Sequence, residues 1–216
     1  MLALLVFSAF TILVAAGDKT YKVSRAKKEE NLVIYDVKEG NVDIWFSFFQ
    51  MFGFSSVRIN STAESKKADF RLTPIRITEF SEKIPIESSQ SVFNFEGNQH
   101  NWSGIKVEEI KEVIDKKTTN IVRMNATMTA GQLRYTMNVY LTDRSCFYGN
   151  LNLDPNGAYI VQTIEGFPYK YSNSSIAVEQ VVASRDSGTI GTFVALSNSP
   201  FLGTLIISPE AYDKEQ

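Results

Sequence analysis

Apolar and polar residues alternate most strictly between Gly131 and Thr142. Leu133, Tyr135, Met137, Val139 and Leu141 alternate with Gln132, Arg134, Thr136, Asn138 and Thr142, with Tyr140 the one exception on the polar side. A period of two held over a dozen residues predicts a strand with one face on a core and one in water, which is the signature of antiparallel sheet. The same pattern recurs in shorter form at 31–37, 70–80, 91–95, 120–128, 158–164, 176–183, 189–196 and 203–207. Each is rich in β-branched or aromatic residues and bounded by Gly, Asn, Asp, Ser or Pro. Pro74 sits inside one of them, and the apolar parity flips across it, from Phe70 and Leu72 to Ile75 and Ile77. A bulge or an edge position is expected there, where a missing N–H is harmless.

Two connections carry turn chemistry. Asp154-Pro155-Asn156-Gly157 has Pro second and Gly last, as a type I turn prefers, and is expected to join Leu151/Leu153 to Tyr159/Val161 as a hairpin. Arg185-Asp186-Ser187-Gly188 is expected to do the same for 176–183 and 189–196. Residues 106–117 are ambiguous. Val107, Ile110, Val113 and Ile114 suit a helix, but the stretch also suits a strand pairing with 120–128.

The densest apolar stretch is Ile44–Phe54, where eight of eleven residues are large and apolar and six of those are aromatic. As a helix it would oppose Asp43, Ser47 and Gln50 to Trp45, Phe48, Phe49 and Phe52. As a strand or strand pair it would be apolar on both faces. Burial as strands is the reading the flanking alternation favours, since Val57-Arg58-Ile59-Asn60 resumes it after Gly53. The alternative is contact with lipid or ligand through Trp45, Phe46, Phe48, Phe49, Phe52 and Phe54. Together the segments predict an all-β fold: one antiparallel β-sandwich or barrel-like domain of about nine or ten strands with at most one or two short helices.

Composition places this domain. The 216 residues are 44% hydrophobic and 21% charged, as in a globular protein. A net charge of −2, with Arg25-Ala26-Lys27-Lys28 followed at once by Glu29-Glu30, gives no electrostatic footprint for nucleic acid. Leu2–Ala16 is uncharged and apolar apart from Ser8 and Thr11, too short to span a bilayer comfortably, and ends in small residues. Residues 1–17 therefore read as a signal peptide cleaved after Ala16 or Gly17, leaving 18–216 as a single secreted or luminal domain.

Four sequons agree with that route, at Asn60, Asn101, Asn125 and Asn173. Asn125 shares the polar side of its predicted strand with Arg123 and Thr127, and Asn60 shares one with Arg58, where N-linked glycans would project. The single cysteine, Cys146, permits no internal disulfide, so stability must come from the core. Cys146 is then either a buried thiol or half of an intermolecular disulfide.

Catalytic signatures are scarce. One histidine, His100, lies in a polar loop beside a sequon, and with it alone no multi-histidine metal site forms. GxSxG, GxxxxGK and GxGxxG are all missing. Asn152–Gly157 resembles half of a calcium loop, but Thr163 stands where a bidentate Glu is needed. No cofactor or metal is expected. The sequence thus points to an extracellular binding or structural module with a protein or carbohydrate partner. Its alternatives are a membrane-active or lipid-binding protein using the aromatic run, and a carboxylate-based glycoside hydrolase.

Overall fold

The computed structural model describes residues 4–11, 21–39, 42–51, 54–61, 69–80, 92–96, 101–155, 157–170, 174–184 and 188–197. Among them lie fifteen strands and no α-helix. In chain order these are β1 (Leu4–Thr11), β2 (Lys22–Glu29), β3 (Leu32–Glu39), β4 (Val42–Met51), β5 (Phe54–Ser61), β6 (Asp69–Phe80), β7 (Val92–Asn94) and β8 (Lys106–Ile114). The rest are β9 (Lys117–Ala130), β10 (Leu133–Thr142), β11 (Cys146–Tyr148), β12 (Leu151–Leu153), β13 (Gly157–Glu165), β14 (Ser175–Ser184) and β15 (Gly188–Ser197).

Every pairing is antiparallel. One sheet has the order β1-β13-β10-β9-β8. The other runs β15-β14-β6-β5-β4-β3-β2, with β7 added beside β6, and β11-β12 form a separate ribbon. The alternation in Leu133–Leu141 is realised as β10, whose apolar side chains are buried.

Residues 106–117 resolve as strand and turn. β8 and β9 pair from Lys106↔Asn125 to Ile114↔Lys117 across Asp115 and Lys116, both at positive φ (50° and 63°), the backbone of a tight primed turn whose twist matches that of the strands. Pro74 marks a bulge. β14 pairs Glu179 with Arg76 and Gln180 with Pro74, leaving Ile75 unmatched. The hairpin across 185–187 forms as expected. The other does not: β12 pairs with β11 through Gly149 at φ 58°, not with β13, because β13 is already hydrogen-bonded on both edges, to β1 and β10.

The aromatic run is a pair of strands, β4 and β5, in register from Met51↔Phe54 to Ile44↔Ser61. Phe46 and Phe48 are fully buried, and Trp45 and Phe49 on the opposite face are half-buried. The Arg71 guanidinium lies 5.0 Å above the Phe49 ring, so part of the second face is covered by the chain itself. Phe52 and the Phe54 side chain lie outside the described residues.

One hydrophobic cluster draws on both large sheets. Tyr35, Phe46, Phe48, Leu72 and Ile77 come from one, and Met124, Met128, Tyr135, Met137 and Ile160 from the other. A second, smaller cluster joins Cys146 and Leu153 of the ribbon to Ile121 of β9. β1 falls within the segment expected to be a leader, and strand 203–207 lies outside the described residues.

Candidate functional site

Polar contacts tie the two large sheets at several places, among them Ile105 N–H to Glu30 O at 3.0 Å and the Gln50 amide to Ser103 O at 2.8 Å, and two of the places differ in kind. At one, the Gln162 amide of β13 donates to the Gln180 carbonyl of β14 at 2.8 Å, and both side chains are buried. Nearby, the buried Glu79 carboxylate accepts the Lys170 backbone N–H at 2.9 and 3.0 Å and the Ser174 hydroxyl, fixing the chain between β13 and β14. Of these buried polar atoms, the Gln162 carbonyl oxygen alone has no hydrogen-bond partner among the described residues.

At the other, the sheets part into a cleft of about 450 Å³, lined by Val23, Ser24, Arg25, Tyr35, Glu109, Ile110, Lys111, Asn120, Ile121 and Val122. Sequence periodicity explains the lining. Val23 and Tyr35 belong to the inward sides of β2 and β3, and Glu109 sits opposite Val122 in the β8–β9 register, which turns its carboxylate inward. The Tyr35 hydroxyl donates to Glu109 Oε1 at 2.6 Å, and Arg25 Nη1 stands 3.7 Å from the same oxygen. Burial, then the hydrogen bond to Glu109, hold the Tyr35 phenol far above its ordinary range, so it is a neutral donor at any physiological pH. Lys111 makes no ion pair with a described residue. Asn120 is held by Asp143, which accepts both the Asn120 backbone N–H at 3.1 Å and its side-chain amide.

The cleft therefore offers a carboxylate acceptor, two cationic donors, the Tyr35 oxygen as acceptor and the Ser24 hydroxyl, beside Val23 and Val122. The volume lies within the usual ~300–1,000 Å³ of ligand sites, and the exposed lining is more polar than apolar. Among the lining residues Glu109 is the sole carboxylate. None of these residues stood out in the sequence as a site. The signal was Glu109 itself, a charge at a position whose register neighbour is apolar.

The residues singled out in the sequence lie elsewhere. Asn101 is exposed, and its Ser103 is drawn into the fold, donating its backbone N–H to Thr127 O at 2.7 Å while its hydroxyl accepts the Thr127 N–H at 3.0 Å. Two sequons are thereby joined. The Asn125 amide, the atom a glycan would occupy, donates to Asn138 Oδ1 at 2.9 Å, and Arg123 Nε reaches the same oxygen at 3.0 Å. Asn60 sits on β5 opposite Trp45, while Asn173 and His100 lie outside the described residues. Cys146 is buried, 3.7 Å from the Thr142 hydroxyl, and burial pushes its thiol above the usual range. Phe46 and Phe48, fully enclosed, are withdrawn from lipid.

Among the described residues no group of three His, Cys, Asp or Glu side chains could hold a metal ion. No helix among them is long and apolar enough to cross a membrane, which leaves strand-based crossing unaddressed. No family model, no curated protein and no solved structure matches this chain.

Proposed function

We propose that this chain is a secreted or luminal, N-glycosylated β-sandwich that acts as a binding module, with the inter-sheet cleft as its ligand site. The observation that carries the reading is the lining of the cleft: Arg25, Lys111, Tyr35, Ser24 and Glu109 converge on one concavity. Mixed donors and acceptors at that density suit a hydroxyl-rich ligand. Two cations against one carboxylate favour one that is anionic. The ligand class is an acidic saccharide, its carboxylate taken by Lys111 and Arg25 and its hydroxyls by Glu109 and Tyr35. The sandwich architecture is supported by the core shared between the sheets, and secretion by the leader and sequons of the sequence.

Glycoside hydrolysis fits less well. It needs two carboxyl groups about 5–10 Å apart around the scissile bond, and the lining supplies one. Calorimetric titration with a uronic-acid trisaccharide, beside its neutral hexose counterpart, tests the proposal. The acidic sugar should bind, and Lys111→Ala should weaken it roughly tenfold, about 1.4 kcal/mol. Equal binding of both sugars, or acidic-sugar binding indifferent to Lys111→Ala and Glu109→Gln, contradicts it.

A further inference from the structure

Edges of sheets normally defend themselves against pairing, with charges, prolines or bulges. Two edges here do so. β8 carries five charged residues in nine, and β2 five in eight with a register break between Arg25 and Lys27. β13 does not. Gly157–Glu165 has a single charged residue, Glu165 at its end, and its register with β1 runs without a break from Leu4↔Ile164 to Thr11↔Gly157. It has the composition of an interior strand. Yet its neighbour β1 lies wholly within the segment that reads as a leader, and removing residues 1–17 strips that cover. The new N-terminus then leads into β2, at the far edge of the opposite sheet, and cannot replace it.

We propose that in the processed chain the C-terminal segment Phe201–Ile207 takes the place of β1 beside β13. This rests on leader removal and not on the ligand of the cleft. Three observations point to that occupant. The segment Phe-Leu-Gly-Thr-Leu-Ile-Ile is uncharged and strand-like, as β13 requires of a partner. It follows β15, and β1 lies against β15. The direction is also correct. β15 ends at Ser197 opposite Ile176, at the end of the molecule where β13 passes into β14, and a strand antiparallel to β13 must begin there, as β1 does at Leu4↔Ile164. Four peptide steps from Ser197 to Phe201 reach roughly 13–14 Å. Facing sheets are ~10 Å apart. Asn198-Ser199-Pro200 is therefore long enough to arch from one sheet to the other.

The test is cross-linking in the secreted chain, with Cys146→Ser as background, Thr163→Cys on β13, and single cysteines placed in turn at 201 to 207. Intact mass fixes the N-terminus of the same sample. An intramolecular disulfide confined to one or two of the positions, in a chain beginning at residue 17 or 18, is the expected result. A second arm truncates the chain after Pro200. This should lower the melting temperature by roughly 5–10 °C, and a synthetic 201–208 peptide added in trans should restore it. A mass that retains residues 1–17, cross-linking at no position in folded protein, full-length protein that dimerises through Thr163→Cys instead, or a truncation without effect on melting would each overturn the proposal.

Discussion

The two ends of the space between the sheets use polar groups to opposite purposes. At the β13–β14 end, Gln162 and Gln180 meet where each residue is at most 1% exposed, and the Glu79 carboxylate accepts hydrogen bonds from its own chain. At the β2–β8 end, Tyr35, Glu109 and Arg25 also bridge the sheets, but their remaining donors and acceptors face open volume. A polar group enclosed with its partner specifies structure, and loses stability when that partner is taken away. A polar group bridged on one side and open on the other keeps capacity for a ligand. The comparison therefore predicts that mutations at the first end are costly to folding and those at the second costly to binding.

The largest expected effect is at the closed end. Ile160, 1% exposed on β13, should lose about 2–5 kcal/mol of stability on truncation to Ala, measured by denaturant unfolding, because the methylenes leave a void in a packed core. Val23→Ala at the cleft, where the side chain is half-buried, should lose less than half as much. Next, Gln162→Leu strands the Gln180 carbonyl in an apolar setting and should cost about 1–3 kcal/mol. The double variant Gln162→Leu/Gln180→Leu should recover most of it, since neither polar group is then left unpartnered. A double variant as weak as the sum of its parts would contradict a direct coupling between Gln162 and Gln180.

Tyr135 gives an intermediate case. Its ring packs 4.7 Å from Phe95 and 5.8 Å from Trp102, while its hydroxyl is buried with no hydrogen-bond partner among the described residues. Tyr135→Phe should be neutral or stabilising by about 1 kcal/mol. The same burial raises the Tyr135 phenol well above 10.0, and Tyr35 is raised too, by burial and then by Glu109. Both bind a proton more tightly folded than unfolded. Stability from them is complete below pH ~10 and is lost as pH climbs above it toward their folded values. Absorbance at 295 nm should therefore show the exposed tyrosines ionising first and these two only with unfolding. Smallest of all, Arg25→Ala should change stability by under about 1 kcal/mol, because the pair with Glu109 is 43% and 53% exposed.

Much of the sheet was legible in the chain, because a strand with one wet face writes its alternation into the sequence, as in Leu133–Leu141. The aromatic run resolved as strands for the reason its flanks implied. β2 was not legible. Lys22–Glu29 is an edge strand whose charges mask any period of two. The ribbon β11–β12 was misread from the Asp154–Gly157 turn, because a turn motif fixes a reversal and not which strands pair across it. The cleft was invisible for a different reason: Arg25, Tyr35 and Glu109 come from three strands up to 84 residues apart, and only the register of both sheets brings them together.

The claim that the open end is the working end is tested most directly by backbone NMR shifts of the 15N-labelled domain, titrated with the uronic-acid trisaccharide. The account predicts saturating shifts at Ser24, Arg25, Tyr35, Glu109 and Lys111, with Gln162 and Gln180 unmoved. Saturating shifts centred anywhere else, or none at millimolar sugar, would contradict it.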